Sequence, residues 1–230
     1  MQQKAAFSLA TRLLLAAAGA SLLTACATPR QQASFDYTAL RESRPASILV
    51  LPPLNNSPEV EASDSVYSSV TMPLAESGYY VFPVTLVRES FRQNGLDHPA
   101  DIHQVALDKL RDIFGADTAL YMTVEQYGTQ YRLIDSESRV SVTAKLVDLR
   151  NGQTLWSGTA SASSAEGRNN NSGGGLIGML LTAVVSQIIE SVGNRSHEVA
   201  AIANYRLLNA GRPTGLLYGP RAPRYGTDGK

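Results

Sequence analysis

Ile48-Leu49-Val50-Leu51 run on from Ser47 with no polar residue among them and are closed by Pro52-Pro53. A strand with one wet face alternates apolar and polar residues. An unbroken apolar run of strand length therefore reads as a strand covered on both faces, and it places this segment in the interior of a sheet. The rest of the chain has to supply cover on two sides.

Downstream segments offer it. Val66, Val70 and Leu74 recur at i, i+4 and i+8 beside Tyr67, a helical stripe that lies on a sheet and stops at Gly78, with Pro73 expected to kink or shorten it. Tyr79 to Val84 is aromatic and β-branched and predicts a second strand, with Pro83 setting its end at an edge or bulge. Thr85 is placed to cap a short helix carrying Leu86, Val87 and Phe91 to Asn94-Gly95. A longer amphipathic helix is expected from about Pro99 to Gly115, with Ile102, Val105, Ala106, Leu110, Ile113 and Phe114 on its apolar side. Leu120, Met122 and Val124, then Val140, Val142, Ala144 and Leu146, alternate with polar residues at period two. Gln126 to Arg139 between them reads as an extended hairpin end. Asn151-Gly152 favours a tight turn into Thr154-Leu155-Trp156-Ser157-Gly158. Two strand–helix units followed by an antiparallel meander define an α/β sandwich with a mixed sheet and helices packed on it.

The N-terminus sets location. Lys4 and Arg12 precede an apolar run from Leu13 to Leu23, the layout of a secretory signal, and the run is too short to be a permanent span. It ends in Leu23-Thr24-Ala25-Cys26, which resembles a bacterial lipobox. That resemblance implies cleavage before Cys26, a diacylglycerol on its thiol and acylation of the freed amine. Removal of residues 1–25 takes away Lys4 and Arg12, so the 20 basic residues become 18 against 20 acidic, and nothing in this balance steers nucleic acid. Cys26 is the single cysteine, so no disulfide and no Cys-based metal site is available once it is lipidated.

Residues 26–44 read as a flexible tether, with Phe35 and Tyr37 positioned to pin its second half. The domain is expected over 45–208. Residues 161–175, rich in Ser, Asn and Gly, predict a mobile loop. Leu176 to Val192 is apolar except for a narrow stripe at Thr182, Ser186 and Glu190, and reads as a long apolar helix serving both core and self-association. A more ordinary amphipathic pattern continues through Val199, Ile202 and Ala203 to Leu208. Residues 209–230 read as an extended tail rich in Gly, Pro and Arg.

No stretch announces a reaction. His98 and His103 are five apart with no Glu between them, unlike the paired histidines of a metalloprotease helix. His197 has no motif-like partner and no Gly-x-Ser-x-Gly elbow occurs, so all three histidines read as solvated. Gly173-Gly174-Gly175 precedes no Lys-Ser or Lys-Thr and reads as a hinge. Trp156 reads as strand packing in preference to a glycan platform. The expectation is a protein with no catalytic residue, cofactor or metal, its one modified residue being Cys26.

The segments ILVLPPLNNS, GYYVFPV, the GAD before the third strand, LVDLRNGQTLWSG and the closing LLYGPRAPRYG, following a lipobox in this order, resemble a family of bacterial lipoproteins of unknown function. The Asp, Gly turn and Leu-Trp of the meander are also similar to the curli secretion lipoprotein CsgG, to LpoB, an activator of a penicillin-binding protein, and to the N-terminal domain of TolB. The resemblance implies a non-enzymatic module facing the periplasm from the outer membrane, working by protein binding or assembly, often beside a CsgG-like lipoprotein or as a homo-oligomer. The alternative it leaves open is a regulator of peptidoglycan synthesis. Ala27 after the cysteine favours the outer membrane by analogy with lipoprotein sorting. Cys26→Ser is expected to leave an unlipidated precursor, because several acyl chains at about 0.8 kcal/mol per buried methylene make the anchor effectively permanent. Labelled palmitate followed through membrane fractionation checks it, and unlabelled soluble wild-type protein contradicts it.

Overall fold

The apolar run forms strand β1 (Ser47–Val50) inside a seven-stranded mixed sheet, between the parallel strands β3 (Tyr80–Val81) and β4 (Thr118–Gln126). Past Pro52-Pro53, the short β2 (Leu54–Asn55) runs parallel to the far end of β4. The meander is antiparallel: β6 (Ser136–Asp148) pairs with β4, β7 (Thr154–Ser163) pairs with β6, and the short β5 (Thr129–Tyr131) pairs with the start of β6. This structure is a computed structural model and describes residues 35–131, 136–166, 195–212 and 214–228.

Helices α1 (Thr38–Ser43), α2 (Ala62–Ser68), α3 (Thr71–Glu76), α4 (Val84–Gln93), α5 (Pro99–Ile102), α6 (Leu107–Phe114) and α7 (Arg195–Leu208) make up the described helical layers. Strand alternation sorts the core into two clusters. Ile48, Val50, Leu120, Met122, Val142 and Leu146 pack with Val66 and Tyr67 of α2, Leu74 of α3, and Val199, Ala203 and Leu207 of α7. Leu49, Leu51 and Ala119 point the other way, onto Val87 and Phe91 of α4, Ile102 of α5 and Leu110 of α6. Ile48, Leu49, Val50 and Leu51 are all fully buried. At about 1.5 to 3 kcal/mol per large apolar side chain, these four contribute on the order of 10 kcal/mol as an upper estimate.

The second layer covers only part of the sheet. On β6 and β7, that same face carries Ser141, Thr143, Lys145, Ser157, Thr159 and Ser161, which are half-buried or exposed, so the outer half of the sheet presents a hydroxyl-rich surface.

The prolines of the Pro-Pro pair have no N–H to satisfy, and their carbonyls are taken from both layers. His103 Nε2 lies 2.9 Å from the Pro52 carbonyl, and Ser63 Oγ donates to the Pro53 carbonyl at 2.7 Å. In open α/β sheets the crevice beyond the carboxyl ends of the parallel strands is the usual ligand position. Here residues 52–56 occupy it themselves, tied to β4 by bonds from Leu51 N to Leu120 O and from Asn56 N to Val124 O.

Several helices are shorter than their periodicity predicts. The first breaks at Ser69-Val70, where the Ser68 and Ser69 hydroxyls bond back to the carbonyls of Ser65 and Val66, and Pro73 falls in the first turn of α3, where its missing donor is not needed. Thr85 is inside α4, which starts after Pro83. The helix expected from Pro99 to Gly115 is two helices, because Ala106 is extended (ψ 141°) and acts as the N-cap of α6. The break lets Ile102 and Leu110 both reach full burial, while Ile113 is left 60% exposed.

Both ends of the domain correct the sequence reading. Of the stretch read as a tether, residues from Phe35 onward belong to the body: Tyr37 and Leu40 are buried, and α1 is closed by Arg44 at φ +47°. Of the stretch read as a free tail, residues 214–228 form a strap docked on the body. Trp156 Nε1 donates to the carbonyl of Thr214 at 3.0 Å, the Tyr37 hydroxyl to that of Gly215 at 2.5 Å, and the Tyr79 hydroxyl to that of Leu217 at 2.8 Å. Three core aromatics thus hold nearly successive carbonyls, and Leu216 and Leu217 complete the core between them. The strap then bonds through Gly219 N to Ser77 O and through Arg221 N to Gly78 O. The segment read as a long apolar helix, Leu176 to Val192, lies outside the described residues, as do the signal peptide and Cys26. The described C-terminal helix is α7, of 14 residues, and among the described residues no helix is long and apolar enough to cross a membrane.

Gly78 is where the strap meets the turn after α3. It has φ +90°, and an added Cβ would lie 2.6 Å from that of Ala222. Gly78→Ala is therefore expected to lower stability by about 2 to 4 kcal/mol through strain and overlap together. Gly95→Ala, at φ +79° with nothing within 4 Å, loses only the conformational part, about 1 kcal/mol. Urea unfolding of the two variants side by side measures the strap's contact.

Candidate functional site

Sequence reasoning singled out Cys26 and weighed three histidines. The structure finds partners for two of the histidines. His197, in the first turns of α7, places Nδ1 2.8 Å from Ser65 Oγ on α2, and the Tyr127 hydroxyl, just past β4, donates to the same Ser65 oxygen at 2.9 Å. Ser65 Oγ thus sits between the two rings and is bonded to both. His103 is half-buried edge-on to Tyr121, at 5.2 Å between ring centroids. Burial holds its pKa below the ordinary 6.5, with Lys145 nearby adding to that and the bond to Pro52 opposing it. The ring is then neutral with its proton on Nε2, the form that donates to the Pro52 carbonyl. His98 is exposed, as expected.

A serine–histidine contact raises the question of nucleophilic catalysis. Ser65 is almost buried within α2, its own N–H is bonded to the Glu61 carbonyl, and its hydroxyl already serves two partners. Among the described residues no carboxylate hydrogen-bonds His197, so the orienting third group of a triad is not supplied. The arrangement ties α2, α7 and the end of β4 together. Asn204 of α7 does the same about two turns further along, donating through Nδ2 to Val66 O and to Ser69 Oγ, both at 2.8 Å. Among the described residues no group of three or more His, Cys, Asp or Glu side chains is placed to hold a metal ion.

At the other end of the strands, Asp148 is buried at the end of β6, opposite Thr118 at the start of β4. Arg150 reaches it through Nε at 2.9 Å and Nη2 at 2.6 Å, the Arg150 N–H adds a third bond at 2.8 Å, and the Ser43 hydroxyl of α1 donates at 2.7 Å. Arg150 also bonds the Ser43 carbonyl at 3.0 Å. Asp117 plays a matching part under the start of β1, accepting from Ala46 N and from the backbone and hydroxyl of Ser47. The chain thus enters the domain from its N-terminal side through two carboxylates. Trp156, 1% exposed, is core, as its sequence position suggested.

On the surface, Tyr80, Phe82, Phe114 and Phe91 form a chain of ring contacts running from the exposed edge at β3 into the second core cluster, with Arg221 5.2 Å over the Tyr80 ring. Leu86 and Ile113 are also exposed on the two long helices of that layer. The site contacts between Ser65, Tyr127 and His197 were not visible in the sequence, because the three residues are 62 and 132 positions apart and share no motif.

These features describe a mixed-sheet α/β body whose polar side chains are committed to holding its ends and helices in place. The family model described as "Putative lipoprotein GNA1162-like" matches residues 35–221, and the chain belongs to this family. "Putative lipoprotein NMB1124/NMB1162" of Neisseria meningitidis serogroup B is 51% identical over 209 residues, covering 91% of this chain and 95% of that protein. The crystal structure of lipoprotein GNA1162 from Neisseria meningitidis is 54% identical, with a TM-score of 0.52 over 64% of this chain and all of that one. The C-terminal domain of LpoB from Salmonella enterica is 18% identical, with a TM-score of 0.34 over 51% of this chain and 82% of that one.

The Asp148 cluster makes a pH prediction. Burial alone pushes the carboxyl up, but the bonds from Arg150 and Ser43 outweigh it and hold the group at about 2, against an ordinary 3.8. A depressed carboxylate contributes stability that is fully present above the unfolded value and is lost as pH falls through the folded one. Asp148→Asn is expected to be less stable than the wild type at neutral pH, with the gap closing between about pH 4 and pH 2. Urea midpoints of both proteins across that range test it.

Proposed function

We propose that this lipoprotein is a non-enzymatic scaffolding module, anchored through lipidated Cys26 in the outer membrane with its body facing the periplasm, and that it acts by assembling with other envelope proteins, a CsgG-like lipoprotein among them. The observation that supports this reading is the use made of its nucleophile- and base-type side chains. Ser63, Ser65, His103 and His197 are each spent on a bond between two elements of the fold. The surface, in contrast, carries an aromatic edge at Tyr80 and Phe82 and a hydroxyl-rich sheet face, which are features for contact with another macromolecule.

Residues 27–34 connect the anchor to Phe35, and eight residues span at most about 30 Å when fully extended. The body therefore works close to the membrane. Cross-linking in intact envelopes, followed by capture of the protein and identification of what it carries, tests the proposal. Envelope lipoproteins are expected in the capture. A penicillin-binding synthase as the main product points instead to control of peptidoglycan synthesis, and capture of neither overturns the assembly reading.

A further inference from the structure

Strand β7 is an edge strand, and the phase of its ladder tells which backbone groups face outward. Ser164 N donates to Ser138 O at 2.9 Å, continuing the register that pairs Ala162 with Val140, Ala160 with Val142 and Gly158 with Ala144. In an antiparallel ladder, backbone groups alternate between partner and solvent side. Gly158, Ala160 and Ala162 thus point theirs at β6, and Ser157, Thr159 and Ser161 point theirs away. Arg206 Nη1 donating to the Ser161 carbonyl at 2.8 Å confirms the outward direction. By this phase, the N–H groups of Ser157, Thr159 and Ser161 and the carbonyls of Ser157 and Thr159 face away from β6, the one described strand that pairs with β7.

Proteins usually blunt such an edge with a lysine, a proline, a bulge or an inward charge. Residues 154–163 contain no charged residue and no proline, and the one irregularity sits near the start, between Leu146 and Val147 of β6. α1 contacts β7, and Ser157, Thr159 and Ser161 are the exposed positions of its central stretch. That stretch reads Ser-Gly-Thr-Ala-Ser, which is symmetric in size and polarity about Thr159. A two-fold axis through Thr159 and perpendicular to the sheet sets Ser157 opposite Ser161, Thr159 opposite itself and Gly158 opposite Ala160. No like charges meet, and small residues oppose small residues throughout.

We infer that the open edge of β7 pairs with β7 of a second copy of this chain, joining two sheets into one across a two-fold axis at Thr159. This rests on the assembly reading and names one of its surfaces. The outward groups of Ser157, Thr159 and Ser161 give about four new backbone hydrogen bonds from groups without another partner, and about two more to the Ser161 carbonyls, whose second lone pair is left beside the bond from Arg206. The hydroxyls of Thr159 and of the serine pairs meet on the uncovered face, a favourable cross-strand combination. The edge also approaches closely on its other side: Gly158 lies under the Trp156 ring, where a Cβ would be 2.5 Å from the ring, so no side chain projects there to keep a partner off. Two tethers of residues 27–34 reach one membrane when the axis stands along the membrane normal.

The test uses the full-length lipoprotein in detergent, by sedimentation over a wide range of concentration. Thr159→Pro removes an N–H that the monomer does not use, and Thr159→Lys sets two positive charges against each other at the axis. Each is expected to weaken dimerisation at least about tenfold while the thermal unfolding of the monomer changes little. Thr159→Cys, with Cys26 lipidated, is expected to cross-link to its copy with a short bismaleimide in intact envelopes, and Met72→Cys on exposed α3 is not. A wild-type protein that stays monomeric throughout overturns the inference, as does a dimer unmoved by both Thr159 substitutions. If envelope capture yields other lipoproteins while Thr159→Cys fails to cross-link, the assembly reading stands and this interface falls.

Discussion

Burial of β1 on both of its faces is the constraint on which the rest of the structure depends. Four consecutive large apolar residues cannot all be covered by one layer, because their side chains alternate sides. One layer is built of α2, α3 and α7, which come from opposite ends of the described chain, and the other of α4, α5 and α6, which are consecutive. The fully buried members of the two clusters come from different helices, and Val84 at the start of α4 is the helical residue of the second layer that also touches the first cluster. Continuity between them is carried by the sheet, and β1 is the strand with full cover on either side.

Once helices from distant parts of the chain must pack together, polar side chains are needed to fix them. α7 is held on α2 by His197 and Asn204, the Pro-Pro segment by His103 and Ser63, and the entry of the chain by Asp117 and Asp148. Each is a bond between elements separated in sequence, and together they use the groups that an active site of hydrolytic type needs. The strap completes the pattern: Tyr37 and Tyr79 are both raised above the ordinary tyrosine pKa, chiefly by burial, and each keeps its hydroxyl bonded to a strap carbonyl. Binding functions then fall to the outer surface, where the second helical layer ends before β6 and β7.

Much of this fold was legible in local patterns. The unbroken run at β1, the period-two alternation of β4 and β6, and the Asn151-Gly152 turn into β7 are local signals, and each appears at its expected place. Helix lengths were less legible. Ala106 is helix-compatible by composition, yet its backbone is extended and caps α6, so the helix expected from Pro99 to Gly115 breaks there. The N-terminal stretch was read as a tether from its polar composition, with Phe35 and Tyr37 expected to pin its second half, and the C-terminal one as an extended tail from its Gly, Pro and Arg content. Three aromatics separated from the strap by 58, 178 and 138 positions supply the bonds that order it, and no window of sequence contains both partners.

The sequence by itself determined the strand order of the meander, the mixed α/β class, the lipobox and the family, since periodicity, turn chemistry and short motifs are carried by neighbours along the chain. Only the tertiary structure decided that the strap and α1 belong to the body, that Ser65 meets His197 and Tyr127, and that the described helices leave one face of β6 and β7 uncovered. The physical reason is distance along the chain. A hydrogen bond or a packing contact between residues 60 to 180 positions apart exists only after the sheet has brought them together, and an open strand edge is defined by what the folded chain does not place beside it.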